Sequence, residues 1–430
     1  MHRTKSRMSY TSTLGQWGVA FFSLIQVVIA LTTSVGCSDA NSPMSRDGGF
    51  ETDAKAQPDD TWQIPDPFAE VDRAPLDEDL HERKRFLGAV ASSGSHAFAV
   101  SVSLEDRVDY RLLVYDIDGD SPRLVGKALT SNQPTDIVVA DGLAYLVTNA
   151  TGIDEPSLII YDVTNPAEPR WYGKASLSGI DPSGNDCLDE RSSPELHLQV
   201  LEEHAYIGCS FGIAVVDISE PSEPEVSDVV SMPAHVLRLG AFLREWDGRA
   251  QHLVLPLLNG NSEVPVYLVN DGELREMAPP LTLDFELSSG TRLATHIPPT
   301  LGQIDYSHVN VAFSGRGGAL ALSEVVAYSS DDKYTPESYT ATDLSFTGLL
   351  SAVAVEEDQV YVATEPGGTL TVPTVHRVSF SALRDPTVEG EVELEQLKTI
   401  YDLVVSADRI IIAAEAQSGD GLSLIPVDAL

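Results

Sequence analysis

Apolar residues recur along this chain in short runs that alternate with polar ones, and no stretch keeps a helical period over three turns. Four segments show the alternation twice, on either side of a small acidic or glycine-containing turn. They read DIVVADGLAYLVT (136–148), HLQVLEEHAYIGC (197–209), SAVAVEEDQVYVAT (351–364) and DLVVSADRIIIAA (402–414). RFLGAVASSGSHAFAVSV (85–102) has the same form. Each predicts a β-hairpin, with Asp141-Gly142 the clearest turn signal.

A second element follows three of these hairpins. It reads RLLVYDIDGDSPRLVGKAL (111–129), LIIYDVTNPAEPRWYGKASL (158–177) and IAVVDISEPSEPEVSDVVSM (213–232). Each is an apolar strand, an aspartate (Asp116, Asp162, Asp217), a proline-containing turn and another strand. One repeat is therefore four short strands in about 45–50 residues. A lone sheet of this size leaves two faces uncovered, and radial stacking of copies covers them. The expected architecture is an all-β propeller over residues 83–430. Units start near residues 85, 134, 196, 235, 305, 350 and 400. That gives seven blades, with six or eight left open by the irregular stretch 235–347. The last unit has only three recognisable strands. Residues Arg83–Ser92 read either as its closing strand or as the first strand of blade one.

The strings LVVYDI, LIIYDV and AVVDI, each leading into a proline turn, resemble the LVIVD repeat of bacterial secreted and surface proteins; VTNPAEPRWYG (163–173) is the nearest. The resemblance covers mainly residues 85–232 and part of 350–430. It implies a propeller outside the cytoplasm and carries no particular chemistry.

The first 36 residues differ from the rest. Arg3, Lys5 and Arg7 precede an uncharged apolar run from Gly18 to Leu31, then small residues, then Cys37. This is the form of a secretory signal. Val35-Gly36-Cys37 resembles the lipobox of bacterial lipoproteins, although Ser34 stands where that family prefers leucine. The resemblance implies lipid attachment at Cys37. The alternative is an uncleaved anchor over Trp17–Val35. Both place the body outside the cytoplasm, at the cell envelope. Residues 37–82 follow as a tether: thirteen acidic side chains against three basic ones between 38 and 82, interrupted by five prolines. Such a segment has too little apolar surface to offset its ordering entropy.

Charge narrows the range of partners. The whole chain carries −38, and without the first 36 residues −41. That field repels phosphate backbones and excludes nucleic acid as a natural partner. With Cys37 lipidated, Cys187 and Cys209 remain, and in an oxidising compartment they are expected to pair. Asp116-Ile-Asp118-Gly-Asp120 begins like a Ca²⁺ loop but lacks the glutamate twelve positions in, so it reads as a repeat turn. No nucleophile elbow, zinc-protease motif or phosphate loop is present. No catalytic residue or cofactor is identified, with Ca²⁺ or Zn²⁺ the ions to consider. A polar residue opens each hairpin: Asp136, His197, His235, His308, Ser351 and Asp402. Recurring around the axis, these side chains are expected near one mouth of a central channel. They are a site for a metal or anion, or else caps for exposed backbone. The expected function is a binding or scaffold module for envelope protein or glycan; the alternative is a hydrolase-like enzyme with its site at the channel mouth.

Overall fold

The structure is a computed structural model. It describes residues 85–103, 110–119, 121–149, 155–178, 196–209, 212–246, 249–270, 273–283, 287, 292–296, 306–314, 320–328, 337–339, 346, 348–356, 359–366, 372–379, 386–406, 408–416 and 419–430. The chain divides into two units, Met1–Ile64 and Pro65–Leu430, and every described residue lies in the second. The signal segment, the tether, Cys37 and Cys187 are outside the described residues.

Twenty-seven strands and one 3₁₀ turn, Val427–Ala429, make up the regular structure of the described residues. The first sheet holds β1 (Arg85–Ser93), β2 (His96–Ser103), β3 (Tyr110–Asp116) and β4 (Arg123–Thr130). The second holds β5 (Gln133–Ala140), β6 (Leu143–Asn149), β7 (Ser157–Asp162) and β8 (Arg170–Ser176). The third holds β9 (His197–Leu201), β10 (His204–Cys209), β11 (Gly212–Asp217) and β12 (Glu225–Ser231). The fourth holds β13 (Val236–Trp246), β14 (Arg249–Leu258), β15 (Glu263–Asn270) and β16 (Glu273–Thr282). The fifth holds β17 (Arg292–His296), β18 (Tyr306–Ser314), β19 (Leu320–Tyr328) and β20 (Glu337–Tyr339). The sixth holds β21 (Leu349–Glu356), β22 (Gln359–Glu365), β23 (Thr374–Ser379) and β24 (Thr387–Glu393). The last holds β25 (Leu397–Ser406), β26 (Arg409–Ala416) and β27 (Gly419–Pro426).

Six sheets thus have four antiparallel strands in sequence order, and the last has three among the described residues. β1 is the inner strand of the first sheet, so Arg85–Ser93 does not serve as the missing edge of the last one. The fifth unit starts earlier than the alternation suggests. Its inner strand is β17, and the more regular run at 306–314 is its second strand.

Apolar clusters form between sheets, as radial stacking requires. Phe98, Val100, Leu112 and Val114 of the first sheet meet Ile137, Leu146 and Ile159 of the second. Leu158 and Ile160 meet Leu198, Ala205 and Ile207 of the third. The same pattern runs on to the last sheet, where Leu403, Ile410 and Ile412 cover Ala363 and Val375. The ring closes where Leu87, Ala97, Ala99 and Leu113 pack against Ile411 and Ala413. The middle strands are consequently buried on both faces; β7 and β11 are buried along all but their last residue.

The turns follow from residue chemistry. Asp141 and Gly142 both have positive φ, 51° and 77°, as a two-residue hairpin turn of the right twist demands. Asp116, Asp162 and Asp217 each accept the backbone N–H two residues on, at 3.1, 2.9 and 2.9 Å. The aspartate repeat is thus a turn device. Four outermost strands, β4, β8, β12 and β24, each absorb one extra residue, as between Val114 and Tyr115 opposite β4 and between Ile160 and Tyr161 opposite β8. Beside these bulges lie Gly126 and Gly173, where a Cβ would meet the carbonyl oxygens of Pro166 and Pro221 at 1.9 and 2.1 Å. The proline turn of each following sheet docks there.

Gly173→Ala is therefore expected to destabilise the protein by about 1–3 kcal/mol through overpacking against backbone, read as a lower urea midpoint. Gly421→Ala, where a Cβ meets nothing within 4 Å, is the control and should unfold close to the parent. A second expectation concerns two buried imidazoles. His252 receives the Tyr206 hydroxyl at Nδ1 (2.5 Å) and meets Glu202 at 3.2 Å through Nε2. His376 lies 3.5 Å from Glu391. Burial holds both below the usual 6.5, against the pull of those carboxylates. Both are neutral in the fold, so the unfolded chain takes up their protons first. Their stabilising contribution is complete above pH 6.5 and is lost as pH falls below it, by up to about 1.4 kcal/mol per histidine for each pH unit. Urea unfolding at pH 7.5 and 5.5 should show this slope, and the His252→Gln, His376→Gln double variant should flatten it.

Candidate functional site: the central channel

The inner strands of all seven sheets surround a channel of about 830 Å³. Five of them carry a bulge: β1 between Leu87 and Val90, and β5, β13, β21 and β25 with Thr135, Leu237, Ser351 and Tyr401 as the extra residues. A bulge frees backbone groups from the ladder, and polar side chains meet them. The Thr135 hydroxyl donates to Val147 O at 3.3 Å and to Leu196 O at 3.1 Å; the Ser351 hydroxyl donates to Ala363 O at 3.3 Å.

The residue after the bulge is Asp136 in β5 and Asp402 in β25. Both make the same pair of bonds. Asp136 Oδ1 accepts the next N–H, Ile137, at 2.8 Å, and Oδ2 accepts Leu198 N–H of the following sheet at 2.9 Å. Asp402 accepts Leu403 N–H at 2.9 Å and Val90 N–H at 3.0 Å. Since β1 follows β25 around the ring, the Asp402 bond joins the last sheet to the first. At the same boundary between the last and first sheets, the Arg409 guanidinium donates to the carbonyls of Ile117, Asp118 and Gly119.

His197, buried at the start of β9, has Nδ1 3.9 Å from Asp136 Oδ2. Arg238 of β13 meets the same imidazole through Nη1, which donates to Nε2 and lies 3.1 Å from Nδ1. An arginine can only donate, so the nitrogen it meets carries a lone pair. Asp136, His197 and Arg238 thus form a chain across three consecutive inner strands, all lining the channel.

The expected channel-mouth residues therefore separate. Asp136, His197, Ser351 and Asp402 line the channel. His235 precedes β13, where its carbonyl accepts Asn259 N–H at 2.9 Å, and is not part of the lining. His308 lies on β18, the second strand of its sheet. Arg238 is the residue that sequence reasoning missed. Its signal was the pairing of a polar residue with a following aliphatic, Arg238-Leu239, which matches Asp136-Ile137 and Asp402-Leu403. Cys209 is disulfide-bonded; its expected partner, Cys187, lies outside the described residues. Among the described residues no three His, Cys, Asp or Glu side chains are grouped as a metal site.

The LVIVD repeat is recognised over residues 197–231, which is the third sheet from β9 to β12. The chain is a β-propeller with LVIVD-like repeats. Three solved structures are similar over most of the chain. A putative 6-phosphogluconolactonase from Bacteroides uniformis ATCC 8492 is 12% identical, with a TM-score of 0.51 over 71% of this chain and 85% of that one. The Pseudomonas aeruginosa periplasmic gluconolactonase PpgL is 14% identical, with a TM-score of 0.49 over 80% and 88%. BamB from Moraxella catarrhalis is 13% identical, with a TM-score of 0.42 over 78% and 81%. No curated protein matches the chain by sequence. The first of these structures, with a TM-score above 0.5 at 12% identity, speaks for the propeller fold alone.

The Asp402 bond gives a direct test of ring closure in this LVIVD-like propeller. Asp402→Ala leaves the Val90 N–H without its acceptor, which is expected to cost about 1–3 kcal/mol. Hydrogen exchange followed by NMR or mass spectrometry should show the Val90 segment opening faster, with the Leu198 segment unchanged. Asp136→Ala should give the reverse.

Proposed function

We propose that this protein is an exported, lipid-anchored propeller that acts as a binding module for protein or glycan at the cell envelope. The observation that carries this reading is the use made of the channel carboxylates. Asp136 and Asp402 each accept two backbone N–H groups, one of them across a sheet boundary. Carboxylates held in this way position strands rather than move protons. The rigid ring, the lipobox-like Cys37 and the acidic tether fit a disc that presents its rim and loops outside the membrane.

A second reading has one observation in its favour. The Asp136–His197–Arg238 chain resembles the acid–imidazole arrangement by which enzymes orient a base. An envelope enzyme built on it would lose activity in Arg238→Ala while keeping its stability within about 1 kcal/mol.

Both anchoring and partner are open to experiment in the native envelope. The full chain should label metabolically with an alkyne fatty acid and fractionate with membranes; Cys37→Ser should abolish the label and release the protein. Proximity labelling from the anchored protein should enrich a defined envelope component relative to a control carrying only residues 1–82. Absence of acylation overturns the anchor. Equal labelling from the control overturns the binding module.

A further inference from the structure

The strand β8 reads RWYGKAS, and its first three residues are exposed. Trp171 is 45% exposed and Tyr172 40%, two of the four large exposed hydrophobics among the described residues. β8 is the outermost strand of its sheet and pairs only with β7. The bulge explains the pair. Tyr161 sits opposite Trp171 and Ile160 opposite Gly173, so Tyr172 is the extra residue and stands beside Trp171 without a partner position of its own. The same two positions hold Leu124-Val125 in β4, Val226-Ser227 in β12 and Val388-Glu389 in β24. The aromatic pair is thus an addition to the second sheet that the repeat does not require.

The surroundings indicate what it fits. Arg170 is paired with Glu168 at 3.2 Å, and both are well exposed. Lys174 acts electrostatically on Glu155, whose carboxylate accepts the hydroxyls of Ser176 and Ser178 at 2.7 and 2.6 Å. Each cation has an acid nearby, so the patch is close to neutral and ringed by hydrogen-bonding groups. Two aromatics exposed to these fractions present about 150–200 Å². That is far below the roughly 800 Å² per partner of a stable protein interface, but it matches one or two sugar rings. The −38 charge of the chain disfavours a polyanion.

We infer that Trp171 and Tyr172 form a stacking platform for a neutral oligosaccharide, with the Arg170–Glu168 pair taking sugar hydroxyls. The apolar CH faces of hexose rings cover the aromatic faces, while the hydroxyl edges meet the paired charges. The inference rests on the binding-module reading and names its ligand class and its place.

Calorimetric and fluorescence titration of the full chain with cellohexaose, laminarihexaose, maltohexaose and chitohexaose tests it, with hexagalacturonate as the anionic comparison. The expected result is saturable binding of at least one neutral hexasaccharide and none of the anionic one. Trp171→Ala and Tyr172→Ala should each weaken it tenfold or more, and Trp171→Phe should restore most of it. Both residues are exposed, so their thermal unfolding should stay at the parent value, which removes misfolding as a cause. Absence of binding to every neutral probe, binding unchanged in Trp171→Ala, or preference for hexagalacturonate overturns the platform. If proximity labelling still enriches its envelope component in Trp171→Ala while sugar binding is absent, the module reading stands and only the platform fails.

Discussion

The fold depends on mutual covering of sheet faces. Strands such as β7, β11 and β22 are apolar on both sides, so a single sheet of this protein would expose as much apolar surface as it buried. Each sheet is stable only between two neighbours, and the first and last have two neighbours only if the ring closes. The contact of Leu87, Ala97, Ala99 and Leu113 with Ile411 and Ala413 is therefore the one on which all the others rest. It joins residues about three hundred positions apart, which makes it the slowest contact to reach by chain diffusion. The polar bonds at this seam, from Asp402 to Val90 and from Arg409 to the Ile117–Gly119 carbonyls, lie around it and set the register in which the faces meet.

Much of this was legible along the chain because two signals coincide in each repeat. Period-two alternation marks the hairpins, and an aspartate two residues before a turn N–H marks the end of the third strand. Both are local, and the structure keeps both, as the bonds of Asp116, Asp162 and Asp217 show. The bulges are not local. One extra residue shifts every following side chain to the other face, and nothing at Leu237 or Tyr401 announces it. That is why Arg238 was passed over in favour of His235, three residues away. His308 was misplaced for a related reason. The run YSHVNVAFS alternates more cleanly than RLATH, so the second strand of the fifth sheet looked like its first.

The polar residues of the inner strands illustrate how a structural need can imitate a site. A ring of Asp and His near an axis looks like convergent chemistry. Its origin at Asp136 and Asp402 is plainer: a bulge and a sheet boundary leave two N–H groups pointing at the same place, and a carboxylate with two acceptor atoms answers both. His197 and Arg238 are different. They meet through side chains, across a boundary, and Arg238 also donates to the carbonyl of the bulge residue Leu237 at 3.1 Å.

The outer strands invert this relation. There the bulge and the adjacent glycine serve packing, since the Pro221 carbonyl lies where a Gly173 Cβ would be and the Pro224 ring lies beside it. Backbone pressed against backbone has little room to move. Trp171 and Tyr172, the two residues just before Gly173, are consequently carried on one of the most tightly held points of the rim. A repeat that demands this close approach for its own stability supplies, without further design, a rigid mount for any side chain placed next to it. In β4 the same mount carries Leu124 and Val125 and in β24 Val388 and Glu389; in β8 it carries two aromatic rings turned to solvent. Pre-organisation of that kind reduces the ordering cost of binding a ligand with few contacts, and a small, weakly held ligand such as a sugar gains most from it.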